Sequence, residues 1–218
     1  MILSLDKKFI CLNPPKTGSG FRENLFKEYA DFYVQGVSQL MKDMIGSNPI
    51  DNLHKFRHLN FKDCLSFLSN CNLNPDDFYF FTFVRNPWTR VESWYNMIIN
   101  HEINKHPKLK SRILESRLNI DAFNAYTKLS QHSLSSYLSC EERDVDFCGK
   151  LEAINEDIDK LSVFLNINPK SSPNFDITAN LTSYHSKIKE LWTEESVDII
   201  KNKNLKIIEK FDYKFYNQ

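Results

Sequence analysis

Phe78-Tyr79-Phe80-Phe81-Thr82-Phe83-Val84 is the stretch on which the fold turns. The run is short, apolar and without alternation, which predicts a strand buried on both faces. Such strands belong to the centre of a parallel sheet covered by helices on both sides. Arg85-Asn86-Pro87 ends the run. Asn86 can cap a helix and Pro87 suits the first helical position, so a helix is expected from Trp88 to Asn100.

The same reading extends outward in both directions. Phe9 to Leu12 is a second buried strand, bounded by Lys8 and Asn13-Pro14-Pro15. Lys16-Thr17-Gly18-Ser19-Gly20 forms a loop, and a helix is expected over Phe21 to Phe32 from the spacing of Phe21, Leu25, Tyr29 and Phe32. Further helices are expected over Phe61 to Leu68, Ala122 to Leu138, Ile154 to Leu165 and Thr193 to Phe211, with Thr193 as a cap. Val145 to Leu151 reads as another strand. Residues 34 to 60 carry no clean period, and Gly46-Ser47-Asn48-Pro49 within them is a turn signal, as Pro169 to Pro173 is a loop. Strands alternating with helices predict one α/β domain over 1–218, built on a central parallel sheet.

Composition narrows the class. Lys plus Arg number 28 and Asp plus Glu number 28, so the formal net charge is zero over 218 residues. That excludes a broadly basic nucleic-acid binder and an acidic disordered tail, while leaving room for a local basic pocket. Seventeen Phe and a hydrophobic share of 41% provide a large core. No apolar run approaches the ~20 residues of a membrane helix, and the first residues lack the order of a signal peptide, so a cytoplasmic location is expected. The cysteines Cys11, Cys64, Cys71, Cys140 and Cys148 are odd in number and form no C-x-x-C pair, which argues for thiols rather than a disulfide framework or a zinc site. Asn180-Leu181-Thr182 fits a glycosylation sequon that means little without export.

Two segments carry chemistry. Pro15-Lys16-Thr17-Gly18-Ser19-Gly20 lies between a strand and a helix. Backbone N–H groups at a helix start bind phosphate or sulfate, glycines allow close approach, and Lys16, Thr17 and Ser19 add donors. It is not a Walker A loop, because Lys16 precedes the glycines and no Gly-Lys-Ser/Thr follows. The second segment, Phe83-Val84-Arg85-Asn86-Pro87-Trp88-Thr89-Arg90-Val91-Glu92-Ser93, puts Arg85 at the carboxyl end of the strongest strand. Open sheets place ligands there, and a guanidinium suits a phosphate. Ser93 follows about two helical turns on.

Together these segments resemble the sulfotransferases that use 3′-phosphoadenosine 5′-phosphosulfate (PAPS), in the carbohydrate branch that includes the heparan-sulfate 2-O enzymes and related Golgi sulfotransferases. Ser136-Tyr137-Leu138 with Val145-Asp146-Phe147-Cys148-Gly149-Lys150-Leu151-Glu152 is similar to the family's third motif, and Phe211-Asp212-Tyr213-Lys214-Phe215 to its closing one. The four motifs stand in the family's order over nearly the whole chain. The resemblance implies a three-layer, P-loop-like α/β fold with a central parallel sheet flanked by helices. It implies that Pro15, Lys16, Thr17, Gly18, Ser19, Gly20 and Phe21 hold the 5′-phosphosulfate, that Arg85 and Ser93 hold the 3′-phosphate, and that Tyr137 and Lys150 complete the donor site. Gly20 stands where the family usually has a hydroxyl residue, and Lys150 where many members have Arg. The Golgi relatives carry a membrane anchor, and a cytosolic, bacterial-type member reconciles its lack here.

The implied reaction moves a sulfuryl group from PAPS to an acceptor hydroxyl, of a carbohydrate or glycoconjugate, leaving 3′,5′-ADP and needing no metal. Lys16 would neutralise charge on the leaving phosphate. An acceptor hydroxyl wants a base. His58, in Arg57-His58-Leu59-Asn60-Phe61-Lys62-Asp63, resembles the context of the 2-O enzymes' histidine, and His54 stands four residues earlier. Glu115, Glu102 and His101 stay open as bases. The basic stretch with Lys105, Lys108, Lys110 and Arg112 offers a dock for an anionic acceptor or a solvated charged face. A P-loop-type phosphotransferase for small metabolites and a non-catalytic nucleotide-binding module are the alternatives.

Overall fold

The computed structural model describes residues 1–33, 35–45, 54–141, 143–168 and 184–216, without the side chains of residues 45, 54 and 55. The Gly46–Pro49 turn, the Pro169–Pro173 loop and the Asn180 sequon lie outside the described residues. In chain order the elements are β1 (Ile2–Ser4), β2 (Phe9–Leu12), α1 (Ser19–Phe26), β3 (Phe32–Tyr33), β4 (Gly36–Val37), α2 (Gln39–Ile45), α3 (His54–Arg57), α4 (Phe61–Asn70), β5 (Tyr79–Val84), α5 (Pro87–Lys105), α6 (Lys110–Arg117), α7 (Ile120–Thr127), β6 (Phe147–Lys150), α8 (Ile154–Phe164), α9 (His185–Lys189), α10 (Glu194–Lys203) and α11 (Leu205–Phe211). The described residues cluster into two compact units, 1–84 with 136–168 and 85–135 with 184–216.

The first unit is α/β. Its sheet runs β4-β3-β1-β2-β5-β6. At one end of the sheet β2, β5 and the edge strand β6 are parallel, with Leu12 opposite Thr82 and Val84 opposite Lys150. β5 is buried on both faces, as its unbroken apolar run predicts. Phe81 packs on Phe26 of α1 at 5.6 Å and Tyr79 on Phe164 of α8 at 4.4 Å. The alternate residue Phe80 packs on Phe61 of α4 at 5.0 Å. Helices thus cover both sides of the strand.

The sheet is mixed, not parallel throughout. β1 runs antiparallel to β2 and β3, and β3 antiparallel to β4. The reversal comes from a tight turn after Ser4. The Ser4 hydroxyl accepts from the Lys7 backbone N–H at 3.2 Å, and Lys8 takes a left-handed φ of 51°. Charged Asp6, Lys7 and Lys8 hide this hairpin from a reading by hydrophobic runs. α1 also stops at Phe26 instead of Phe32, because Phe32 pairs with Leu3 in the sheet.

The second unit is helical in its described residues. α5 is capped as expected: the Asn86 side chain accepts from the Trp88 and Thr89 backbone N–H groups, with Pro87 next. The single helix expected over Ala122 to Leu138 ends at Thr127. Lys203 donates to the Thr127 and Leu129 carbonyls at 2.9 and 2.7 Å, and buried Arg90 donates to the His132 carbonyl at 3.2 Å. Side chains here satisfy carbonyls that a continuing helix would have used. The expected Thr193–Phe211 helix is two helices. Asn204 breaks it, with a φ of −129° and a side chain that donates to His132 and Ile200 carbonyls and accepts from Leu134 N–H. Thr193 does cap α10, in a capping box with Ser196. The five cysteines form no disulfide.

Candidate functional site

The loop between β2 and α1 is shaped by two left-handed residues, Lys16 at φ 67° and Gly18 at φ 81°. The glycine takes this without penalty, whereas the lysine is held there at a cost of about 1–2 kcal/mol. Gly18 is the N-cap of α1 and supplies no side-chain hydrogen bond, and the first turn contains no acid. The cap residue itself therefore offers no side-chain acceptor to the first N–H groups of α1, and helix starts of this kind can receive anions. α4, α5, α7 and α10 are capped by Asn60, Asn86, Asn119 and Thr193, whereas α6, α8, α9 and α11 lack a side-chain cap as α1 does.

The loop is fastened from beneath. Arg22 of α1 is fully buried. Its Nε and Nη2 donate to Asn13 Oδ1 at 3.1 and 3.0 Å, Nη2 also to Thr17 Oγ1 at 3.1 Å, and Nη1 to the Thr17 carbonyl. Its guanidinium lies 5.1 Å from the centre of the Phe83 ring. All of these acceptors are uncharged, so the cation beneath the loop is not neutralised by them, and burial pulls its pKa down. Thr17 is buried and its hydroxyl donates to the Pro14 carbonyl at 2.8 Å, so its proton serves the loop itself. Pro15, Lys16, Ser19 and Phe21 are half-buried and Gly20 is exposed.

His58 joins the same loop. Its Nδ1 lies 2.6 Å from the Asn13 carbonyl oxygen, which can only accept, so Nδ1 carries the proton and Nε2 keeps a lone pair. Burial first, and then the charges of Arg57 and Arg22 among others, push its pKa down to about 4. The Tyr137 hydroxyl donates to the His58 carbonyl at 3.2 Å. Arg57 forms a two-pronged pair with Glu23 at 2.9 and 2.8 Å. A Cβ added to Gly20 would meet Arg57 Nη2 at 4.0 Å. Lys150 closes β6, and its backbone N–H donates to Asp157 Oδ2 at 2.9 Å. His54 begins α3, but its side chain lies outside the described residues.

Beside the loop, Arg57 is paired with the Glu23 carboxylate, while Arg22 donates to uncharged acceptors. The sequence reading misses Asn13, Arg22, Glu23 and Arg57. Arg22 leaves one trace, a charged residue between Phe21 and Leu25 on a stretch read as a core-facing helix.

In the second unit, Arg85 Nε donates to Thr89 Oγ1 at 3.1 Å, and Thr89 and Ser93 share a face of α5 at four-residue spacing. Ser93 is half-buried. Beside it, Glu92 is fully buried. Glu92 Oε1 accepts from Trp192 Nε1 at 2.7 Å and Oε2 faces His185 Nε2 at 3.7 Å. Burial raises the Glu92 pKa to about 7, against the pull of Trp192, Lys189 and Arg85. Neither Glu92 nor His185 stands out in the sequence, since burial is what makes them unusual. Lys105, Lys108, Lys110 and Arg112 are exposed, as are His101 and Glu115, while Glu102 is held by Arg117 at 2.6 Å. Among the described residues no group of three or more His, Cys, Asp or Glu could hold a metal, and no helix is long and apolar enough to cross a membrane.

No family model, curated protein or solved structure matches this chain.

Proposed function

We propose that the chain is a sulfotransferase that moves a sulfuryl group from PAPS to an acceptor hydroxyl, of a carbohydrate or glycoconjugate. The observation that carries this is the start of α1: a helix whose cap, Gly18, offers no side-chain acceptor, entered through a loop turned by left-handed Lys16 and Gly18. That cradle fits a phosphosulfate in charge and in hydrogen-bonding sense. The parallel β2, β5 and β6, with this loop after β2, support the P-loop-like reading of the fold.

The donor supplies a sulfuryl group on an anhydride oxygen. Lys16 and the α1 N–H groups would bind the phosphosulfate, and Lys16 would stabilise negative charge on the oxygen that leaves. His58 Nε2, unprotonated near neutral pH, would take the proton of the acceptor hydroxyl as that oxygen bonds to sulfur and the sulfur–oxygen bond to the phosphate breaks. The Asn13 carbonyl fixes the required tautomer. A bound anion would offset the charges of Arg57 and Arg22 and raise the His58 pKa toward the range useful for a base. Arg85 and Ser93 carry the 3′-phosphate role, and Lys105, Lys108, Lys110 and Arg112 the acceptor role, on the sequence reading.

Calorimetry with 3′,5′-ADP and ATP, followed by transfer from labelled PAPS to a glycan panel, tests the reading. Tighter binding of 3′,5′-ADP and a labelled glycan are expected. A preference for ATP would sink the proposal.

A further inference from the structure

The second unit contains a cavity of about 630 Å³ that the donor reading does not use. Its size falls in the range of small-molecule sites, about 300–1,000 Å³. One side is aromatic. Trp88 and Tyr213 are buried, while Trp192 and Phe215 are half-buried. These rings are fixed by their neighbours. Trp88 Nε1 donates to the Val197 carbonyl at 3.1 Å, and Trp192 Nε1 donates to buried Glu92 at 2.7 Å. Phe215 packs edge-on to both indoles, with centroids 5.7 and 5.6 Å away. Both indole N–H groups are therefore spent within the protein, and the two indoles and Phe215 offer a ligand only carbon surface.

The other side is polar and comes from one stripe of α10. Glu194, Val197, Asp198 and Lys201 recur at i, i+3, i+4 and i+7, so they share a face. Lys214 completes the lining, and it also pairs with Asp212 at 2.6 Å. Two carboxylates against two ammonium groups select no ion strongly. The lining still offers both acceptors and donors opposite a carbon wall. A sugar ring matches that division, with an apolar C–H face on one side and hydroxyls around its rim.

We propose that this cavity binds an uncharged saccharide unit, its C–H face on Trp192 and Phe215 and its hydroxyls on Asp198 and Lys201. The choice of a sugar deepens, and in part rests on, the carbohydrate-acceptor reading above. Tryptophan fluorescence and saturation-transfer NMR on the full chain would test it, with chitotriose, maltotriose and cellotriose as probes and choline and 3′,5′-ADP as controls. At least one trisaccharide should bind saturably in the millimolar range. The exposed substitutions Asp198→Ala and Lys201→Ala should each weaken it at least fivefold and leave 3′,5′-ADP binding unchanged. The proposal falls if no trisaccharide binds, if both variants bind sugar like the parent, or if choline binds and the sugars do not. A trisaccharide bound without 3′,5′-ADP binding would remove the sulfotransferase reading and keep the cavity. The reverse outcome would remove the cavity alone.

Discussion

Replacing Arg22 by lysine keeps a positive charge beneath the loop and removes the guanidinium fork. In the parent, the fork supplies hydrogen bonds to Asn13 Oδ1, the Thr17 carbonyl and the Thr17 hydroxyl from a fully buried position. A single ammonium on a flexible stem cannot reach both residues in the same geometry. At least one buried acceptor is then left without its donor, at about 1–3 kcal/mol. Loss of the contact with the Phe83 ring adds about 0.5–2 kcal/mol. The sum, about 2–5 kcal/mol, is a large part of a typical folding free energy of about 5–15 kcal/mol. With an m-value of about 2 kcal/mol/M, the urea midpoint should fall by about 1–2.5 M. Affinity for 3′,5′-ADP should fall as well, measured by calorimetry without urea, because Lys16 and Gly18 lose the support that fixes their left-handed backbone. A midpoint within about 0.3 M of the parent would refute the fastening role. A destabilised variant that still binds 3′,5′-ADP like the parent would refute the link between Arg22 and the anion cradle.

His58→Asn keeps a donor for the Asn13 carbonyl and removes the Nε2 lone pair; transfer from labelled PAPS should slow by about 10²–10⁴-fold with 3′,5′-ADP affinity little changed, and a loss under tenfold moves the base elsewhere, with His54 next in line. Gly20→Ser fits, since its Cβ meets Arg57 Nη2 at an ordinary 4.0 Å, and the added hydroxyl should tighten 3′,5′-ADP binding by about 10–150-fold in calorimetry, about 1.5–3 kcal/mol for one hydrogen bond to a charged group; weaker binding would contradict the place given to that residue. Glu92 has a folded pKa raised to about 7 from 4.5, so its contribution is full below pH 4.5 and is lost as pH rises through 7. Glu92→Gln keeps an acceptor for Trp192 and removes that loss, so its urea midpoint should gain on the parent between pH 5 and pH 8; a difference that does not change with pH would show that Glu92 stays ionised throughout.

What the sequence reveals here depends on how local the physics is. β5 and β2 are legible because burial on both faces leaves an unbroken apolar run, and α5 because Asn86-Pro87 specifies its start within two residues. The β1–β2 hairpin is illegible for the opposite reason. Its turn is a charged segment closed by a serine hydroxyl and a left-handed lysine, and neither leaves a periodic trace. The breaks after Thr127 and at Asn204 depend on Lys203, Arg90 and His132, residues up to 76 positions apart in their pairings. The same division runs through the candidate site. Lys16 to Gly20 can be picked out by composition, since glycines and donors before a helix have a local meaning. The groups that give the loop its shape and field come from elsewhere: Asn13 by its carbonyl, Arg22 from within the next helix, and Arg57 and His58 from a segment with no period of its own. The proposed anion cradle is thus visible in sequence as its own residues, while the loop is fastened by a buried cation that sequence rules would place at the surface. That inversion makes Arg22 a sharper test of the cradle than Lys16. Removing Lys16 would weaken an anion wherever that residue touched it, whereas removing the Arg22 fork can act on binding only through the loop it holds.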